Sequence, residues 1–122
     1  MASQTQASTP NATPAGFGAW LRACREEKGE LLRTLAAAAD LDQSHLDKYE
    51  RGDRLPSPDH AAAIARALGI DADDMRARLA AVHLWKACGG DAAVVAAAAG
   101  FAQEHAGAYL VNKSANKLRT KK

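Results

Sequence analysis

Aromatic side chains make up only 5% of this 122-residue chain, and it has two cysteines. Cys24 and Cys88 lie far apart and have no C-x-x-C spacing. They read as free thiols of a reducing compartment, not as a zinc or dithiol motif. No apolar run approaches the roughly 18 residues needed to span a bilayer. The opening stretch, 1–16, is rich in Ser, Thr, Gln and Pro, with no basic region ahead of an apolar core. It is not read as a secretory signal, and a cytoplasmic location is expected. There is no glycine-rich phosphate loop and no Ser/His/Asp or Cys/His arrangement. His60, His83 and His105 lack metal-ligand spacing. No metal, no cofactor and no enzymatic activity are therefore expected.

β-Branched residues are scarce and Ala dominates, a mix that favours helix because Ala loses no side-chain entropy there. With 48% hydrophobic and 25% charged residues the chain should fold, and an all-α protein is expected. The formal net charge is only +2, but its distribution is uneven. Five of the sixteen basic residues lie from Lys113 onward (Lys113, Lys117, Arg119, Lys121, Lys122), where there is no acid. The other eleven face all fourteen acids, so the body is slightly acidic. Affinity for a polyanion must then come from a local basic surface or from the tail.

Residues 1–13 read as a disordered polar arm. Thr13-Pro14 is a helix start, followed by Phe17, Trp20, Leu21 and Cys24 on one face and a Gly29 stop. Leu31–Ala39 is a short apolar helix, Asp40-Leu41 a break, and Gln43–Glu50 a helix capped by Asp42 and ended by Gly52. A loop with Pro56 and Pro58 leads to a fourth helix with Ala61, Ile64, Ala65 and Leu68 on one face. Asp71 caps a fifth, with Met75, Leu79 and Val82 as its stripe and Trp85 as a further candidate. Gly89-Gly90-Asp91 breaks the chain before a sixth segment, Ala92–Asn112, interrupted by Gly100 and Gly107. The last ten residues, 113–122, read as a basic flexible tail.

The pair of helices around Asp40 carries the functional signal. Small alanines on the first let the second cross closely over a short turn. Leu35, Ala39, Leu41, Leu46 and Tyr49 are placed to pack inward. That leaves Gln43, Ser44, Asp47 and Lys48 on the outer face. Gln pairs with adenine through two hydrogen bonds, Ser donates or accepts, and Lys reaches guanine or phosphate. A major groove about 12 Å wide admits one such helix.

These residues resemble a known family. Arg25-Glu26-Glu27-Lys28-Gly29, Leu35-Ala36, Tyr49-Glu50-Arg51-Gly52, Leu55-Pro56-Ser57 and Ile64-Ala65-Arg66-Ala67-Leu68-Gly69-Ile70 look like the Xre family. That family comprises the Cro- and lambda-repressor-type helix-turn-helix proteins. The resemblance covers about Phe17–Ile70. It implies a five-helix lambda-repressor-like DNA-binding domain whose third helix reads DNA, here followed by a C-terminal helical extension. Gln43, Ser44 and Lys48 then occupy base-facing positions, with Asp47 and His45 beside them. Arg51 and Arg54 follow the phosphate backbone, and Arg25 and Glu50 form a structural ion pair. The sequence departs from the family in three places. Asp40 stands where the turn has Gly. Leu31-Leu32 stands where a capping Ser or Thr and a Gln begin the second helix, so phosphate contact shifts to Arg33. Asp47 is an acid that phosphate repels unless it accepts from cytosine.

The expected organisation is an arm (1–13), a DNA-binding domain (14–70), a dimerising helical extension (71–112) and the tail. The expected function is a sequence-specific, double-stranded-DNA-binding regulator, a repressor acting as a homodimer on a palindromic operator. The alternative is an antitoxin-like module whose C-terminal helices hold a protein partner.

Overall fold

The computed structural model describes residues 12–120, and side chains through Ala108. The N-terminal arm up to Asn11 and the side chains of the basic tail lie outside the described residues. Among those described, every regular element is a helix. They are α1 (Pro14–Glu27), α2 (Leu32–Ala38), α3 (Gln43–Arg51), α4 (Pro58–Leu68), α5 (Ala72–Ala87) and α6 (Ala92–Thr120). The chain divides into two compact units, one reaching to Lys86 and one from Ala87 onward.

The first unit contains the core. Thr13 caps α1, its hydroxyl accepting from the Gly16 amide at 3.0 Å, with Pro14 at the first helical position. Ser57 caps α4 in the same way, accepting from the His60 amide at 3.2 Å. The Asp71 carboxylate accepts from the Asp74 amide at 3.0 Å ahead of α5. Leu31 begins α2 with no side-chain capping bond, as its apolar side chain requires. Asp42 holds the capping position of α3 but makes no capping bond either.

Helix ends follow the left-handed rule. Gly52 and Gly69 adopt φ of 79° and 71°, a region that costs other residues a Cβ clash. Between α2 and α3 that role falls to Asp40, with φ 57°. The Leu41 amide then reaches back to the Ala36 carbonyl at 2.8 Å and the Asp40 amide to Ala37 at 3.1 Å, closing the end of α2. Aspartate tolerates this geometry better than most residues.

Phe17 and Leu21 of α1, Leu35 and Ala36 of α2, and Leu46 and Tyr49 of α3 are buried together. Ala61, Ile64 and Leu68 of α4 join them, with Met75, Leu79 and Val82 of α5. The core therefore extends beyond Ile70 into the fifth helix. Trp85 is only half-buried. Arg78 of α5 lies over the Trp20 ring at 4.4 Å, a cation–π contact that ties the fifth helix to the first.

The second unit is α6. Asp91 caps it, one carboxylate oxygen accepting from the Ala93 and Val94 amides at 2.9 and 3.3 Å. The helix runs through Gly100 and Gly107 and past Asn112 to Thr120. Val94 and Phe101 are exposed on it.

Candidate nucleic-acid interface

The α3 helix is fixed from its inner side. Leu46 is fully buried, and Tyr49 is nearly so. The Tyr49 hydroxyl shares a hydrogen bond with His60 Nδ1 at 2.6 Å, joining α3 to the first turn of α4. Burial pushes the Tyr49 phenol up from its ordinary value, partly offset by the Arg54 charge. Glu50 is the only buried charged residue among those described. Arg25 grips it through two bonds, Nε to Oε2 at 2.7 Å and Nη2 to Oε1 at 3.0 Å. The third guanidinium nitrogen, Nη1, donates to the Glu30 carbonyl at 2.9 Å. The pair thus joins α1 to the end of α3, and its bonds raise the Arg25 guanidinium further above its ordinary value.

Two glycines make this approach close enough. A Cβ on Gly18 would lie 2.4 Å from the Glu50 carbonyl oxygen and 2.6 Å from that of Tyr49. A Cβ on Gly52 would lie 2.7 Å from the Ala15 backbone. The start of α1 is therefore pressed against the end of α3, backbone to backbone. Sequence patterning passes over Gly18. The available signal is an interior helical glycine beside the apolar Phe17, where the loss of helix propensity needs a packing reason.

The outer side of α3 is open. Gln43, Ser44 and Lys48 are exposed, and Asp47 is half-exposed. Positions 43, 47 and 51 align along one stripe and 44 and 48 along its neighbour. His45 does not join them: it is half-buried on the flank, its ring 6.0 Å from that of His60. Arg51 is exposed yet engaged, with Nε 3.2 Å from Asp47 and Nη2 3.4 Å from Asp53. Arg54 in the following loop and Arg33 on α2 are exposed and form no ion pair among the described residues. The side chains brought together on one surface are thus Gln43, Ser44, Asp47, Lys48 and Arg51.

Two short helices, α2 and α3, share a tight turn. The second is anchored inside and bare outside. Residues 21–75 match the helix-turn-helix family. The chain belongs to that family, in its Xre or lambda-repressor-type branch. A solved structure similar to it is the clp gene regulator ClgR from C. glutamicum. The two are 34% identical over 55% of this chain and 87% of that one, with a TM-score of 0.48. No curated protein matches the chain. Membership makes this helix-turn-helix protein a DNA-binding transcriptional regulator, not an enzyme. Among the described residues no helix is long and apolar enough to cross a membrane.

Proposed function

We propose that this protein is a sequence-specific repressor that binds double-stranded DNA as a homodimer on a palindromic operator. One observation carries the reading: a helix of a helix-turn-helix domain whose inner face is locked by Leu46, Tyr49 and Glu50 presents Gln43, Ser44, Asp47 and Lys48 to solvent. Gln43, Ser44 and Lys48 read base edges, with Asp47 beside them and His45 on the flank. Arg33, Arg51 and Arg54 contact phosphate, and the tail at 113–122 adds nonspecific contacts. Residues 14–70 hold the reading unit, the apolar stripe of α5 completes its core, and the dimer contact falls to the rest of 71–112, on α6. The exposed Val94 and Phe101 of α6 supply apolar surface for it. Two-fold symmetry then sets the recognition helices about 34 Å apart, one DNA turn.

Selection of bound duplexes from a random pool at physiological salt tests this. The expected result is a palindromic site whose enrichment is lost in Gln43→Ala. Recovery of no site overturns specific readout, and light scattering that shows only monomer at tens of micromolar overturns the dimer. The exposed Phe101 also favours a second reading, in which α6 holds a protein partner and DNA binding is secondary. A stoichiometric partner that co-purifies through 71–122 would select that reading.

A further inference from the structure

The reading surface is electrically balanced, although a surface that meets phosphate gains affinity from net positive charge. Over 42–54, Lys48, Arg51 and Arg54 oppose Asp42, Asp47 and Asp53, while Glu50 is occupied by Arg25. The balance is also local. The Arg51 guanidinium spends Nε on Asp47 at 3.2 Å and Nη2 on Asp53 at 3.4 Å. Its side chain is 59% exposed, and those of Asp47 and Asp53 are 46% and 57% exposed. Arg51, one of the two exposed cations of α3, is thus paired before DNA arrives, by two carboxylates that phosphate repels.

We propose that Asp47 and Asp53 hold Arg51 in a base-dependent latch, which opens toward phosphate where Asp47 meets a cytosine amine. The proposal rests on α3 being the recognition helix. When Arg51 leaves for a phosphate, Asp47 loses its cation. A carboxylate without a partner in a groove that excludes bulk water bears its full desolvation cost. Cytosine removes that cost, because its N4 amine is a major-groove donor. Adenine also carries an amine, but its N7 acceptor stands beside it, where a second carboxylate lone pair is repelled. Guanine and thymine present no matching donor. Arg51 therefore exchanges one anion for another only at a suitable base. Elsewhere it stays on its carboxylates and contributes little to nonspecific affinity. Because these pairs are solvent-exposed, they are weak enough to open on encounter. Asp53 lies past Gly52 in the loop, outside the reading stripe, so it restrains Arg51 without choosing a base.

The test compares the full-length protein with Asp47→Asn, Asp53→Asn and the double variant Asp47→Asn/Arg51→Ala. Each is assayed on the site selected by the wild type and on an alternating A·T duplex that has no cytosine, across a salt series. The selected site is expected to hold a cytosine preferred about tenfold, a preference lost in Asp47→Asn. On the A·T duplex the introduced amide pairs with adenine in its own right, so the salt slope and not the affinity is read there: Asp47→Asn is expected to steepen the log–log slope by about 0.9, as one more neutralised phosphate requires. Adding Arg51→Ala should abolish that steepening. Asp53→Asn should tighten both duplexes alike and leave the base preference intact. An unchanged cytosine preference and slope in Asp47→Asn overturn the latch while leaving DNA recognition standing. So does a steeper slope that survives Arg51→Ala. If the wild type enriches no site and binds neither duplex, DNA recognition and the latch fall together.

Discussion

Arginine–carboxylate pairing occurs on both sides of α3, one pair inside and two sharing Arg51 outside, and the two arrangements differ in almost everything else. Inside, the Arg25 and Glu50 side chains are 12% and 6% exposed, and the pair has two bonds and a third to a backbone carbonyl. Outside, Arg51 makes two longer contacts to carboxylates that are each about half in water. Taking a charge out of water is costly, so the inner pair is stable only as a pair and fixes where α3 lies. The outer pairs keep most of their hydration and can be exchanged for another anion. The same chemistry is rigid on one face and exchangeable on the other, and solvent exposure decides which.

The strongest way to break that comparison is to orphan the inner charge. Glu50→Ala leaves the Arg25 guanidinium desolvated with only the Glu30 carbonyl to accept from it. It is expected to cost about 3–5 kcal/mol of unfolding free energy, read from chemical denaturation. The double replacement Arg25→Met/Glu50→Leu, similar in bulk, should recover most of the loss, because no buried charge remains. A loss below about 1 kcal/mol in Glu50→Ala would place the pair with the weak surface pairs.

Next in size is Gly18→Ala. On propensity alone, alanine in a helix interior gains about 1 kcal/mol over glycine. At Gly18 the new methyl meets the Glu50 and Tyr49 carbonyl oxygens, so α1 and the end of α3 must move apart. A net loss of about 1–3 kcal/mol is expected, measured as a lowered denaturation midpoint. The displacement also disturbs the Arg25–Glu50 geometry, so this loss and that of Glu50→Ala should not be additive. A stabilised Gly18→Ala would show that the two backbones are not pressed together.

Much of the inner face is legible in the sequence. Arg25, Leu35-Ala36 and Glu50-Arg51-Gly52 lie at spacings that the helix-turn-helix family shares, and the apolar periods place Phe17, Leu21, Ile64 and Met75 in the core. The weak start of α2 is equally readable, because neither Leu31 nor Leu32 has a side-chain oxygen to offer an amide. What escapes a linear reading is contact between elements. The Tyr49–His60 bond and the Gly18 contacts join residues that no helical period relates. Asp47 and Arg51 are four apart on one helix, so their attraction follows from spacing. The reach of Arg51 across Gly52 to Asp53 depends on the left-handed turn, which folds the loop back toward the helix end.

The smallest stability change is expected from Arg51→Ala, and that smallness is what sharpens the comparison. Its partners stay hydrated when it is removed, and the propensity change from Arg to Ala is slight. The unfolding free energy should move by no more than about 0.5 kcal/mol. Binding to the selected site should weaken nonetheless, with a log–log salt slope shallower by about 0.9, because one phosphate is no longer neutralised. Stability and affinity would then separate cleanly along one helix, with Glu50 controlling the first and Arg51 the second. A destabilisation by Arg51→Ala as large as that of Glu50→Ala would mean that Asp47 and Asp53 depend on Arg51 as Arg25 depends on Glu50. Exposure would then not be what assigns the two pairs their roles.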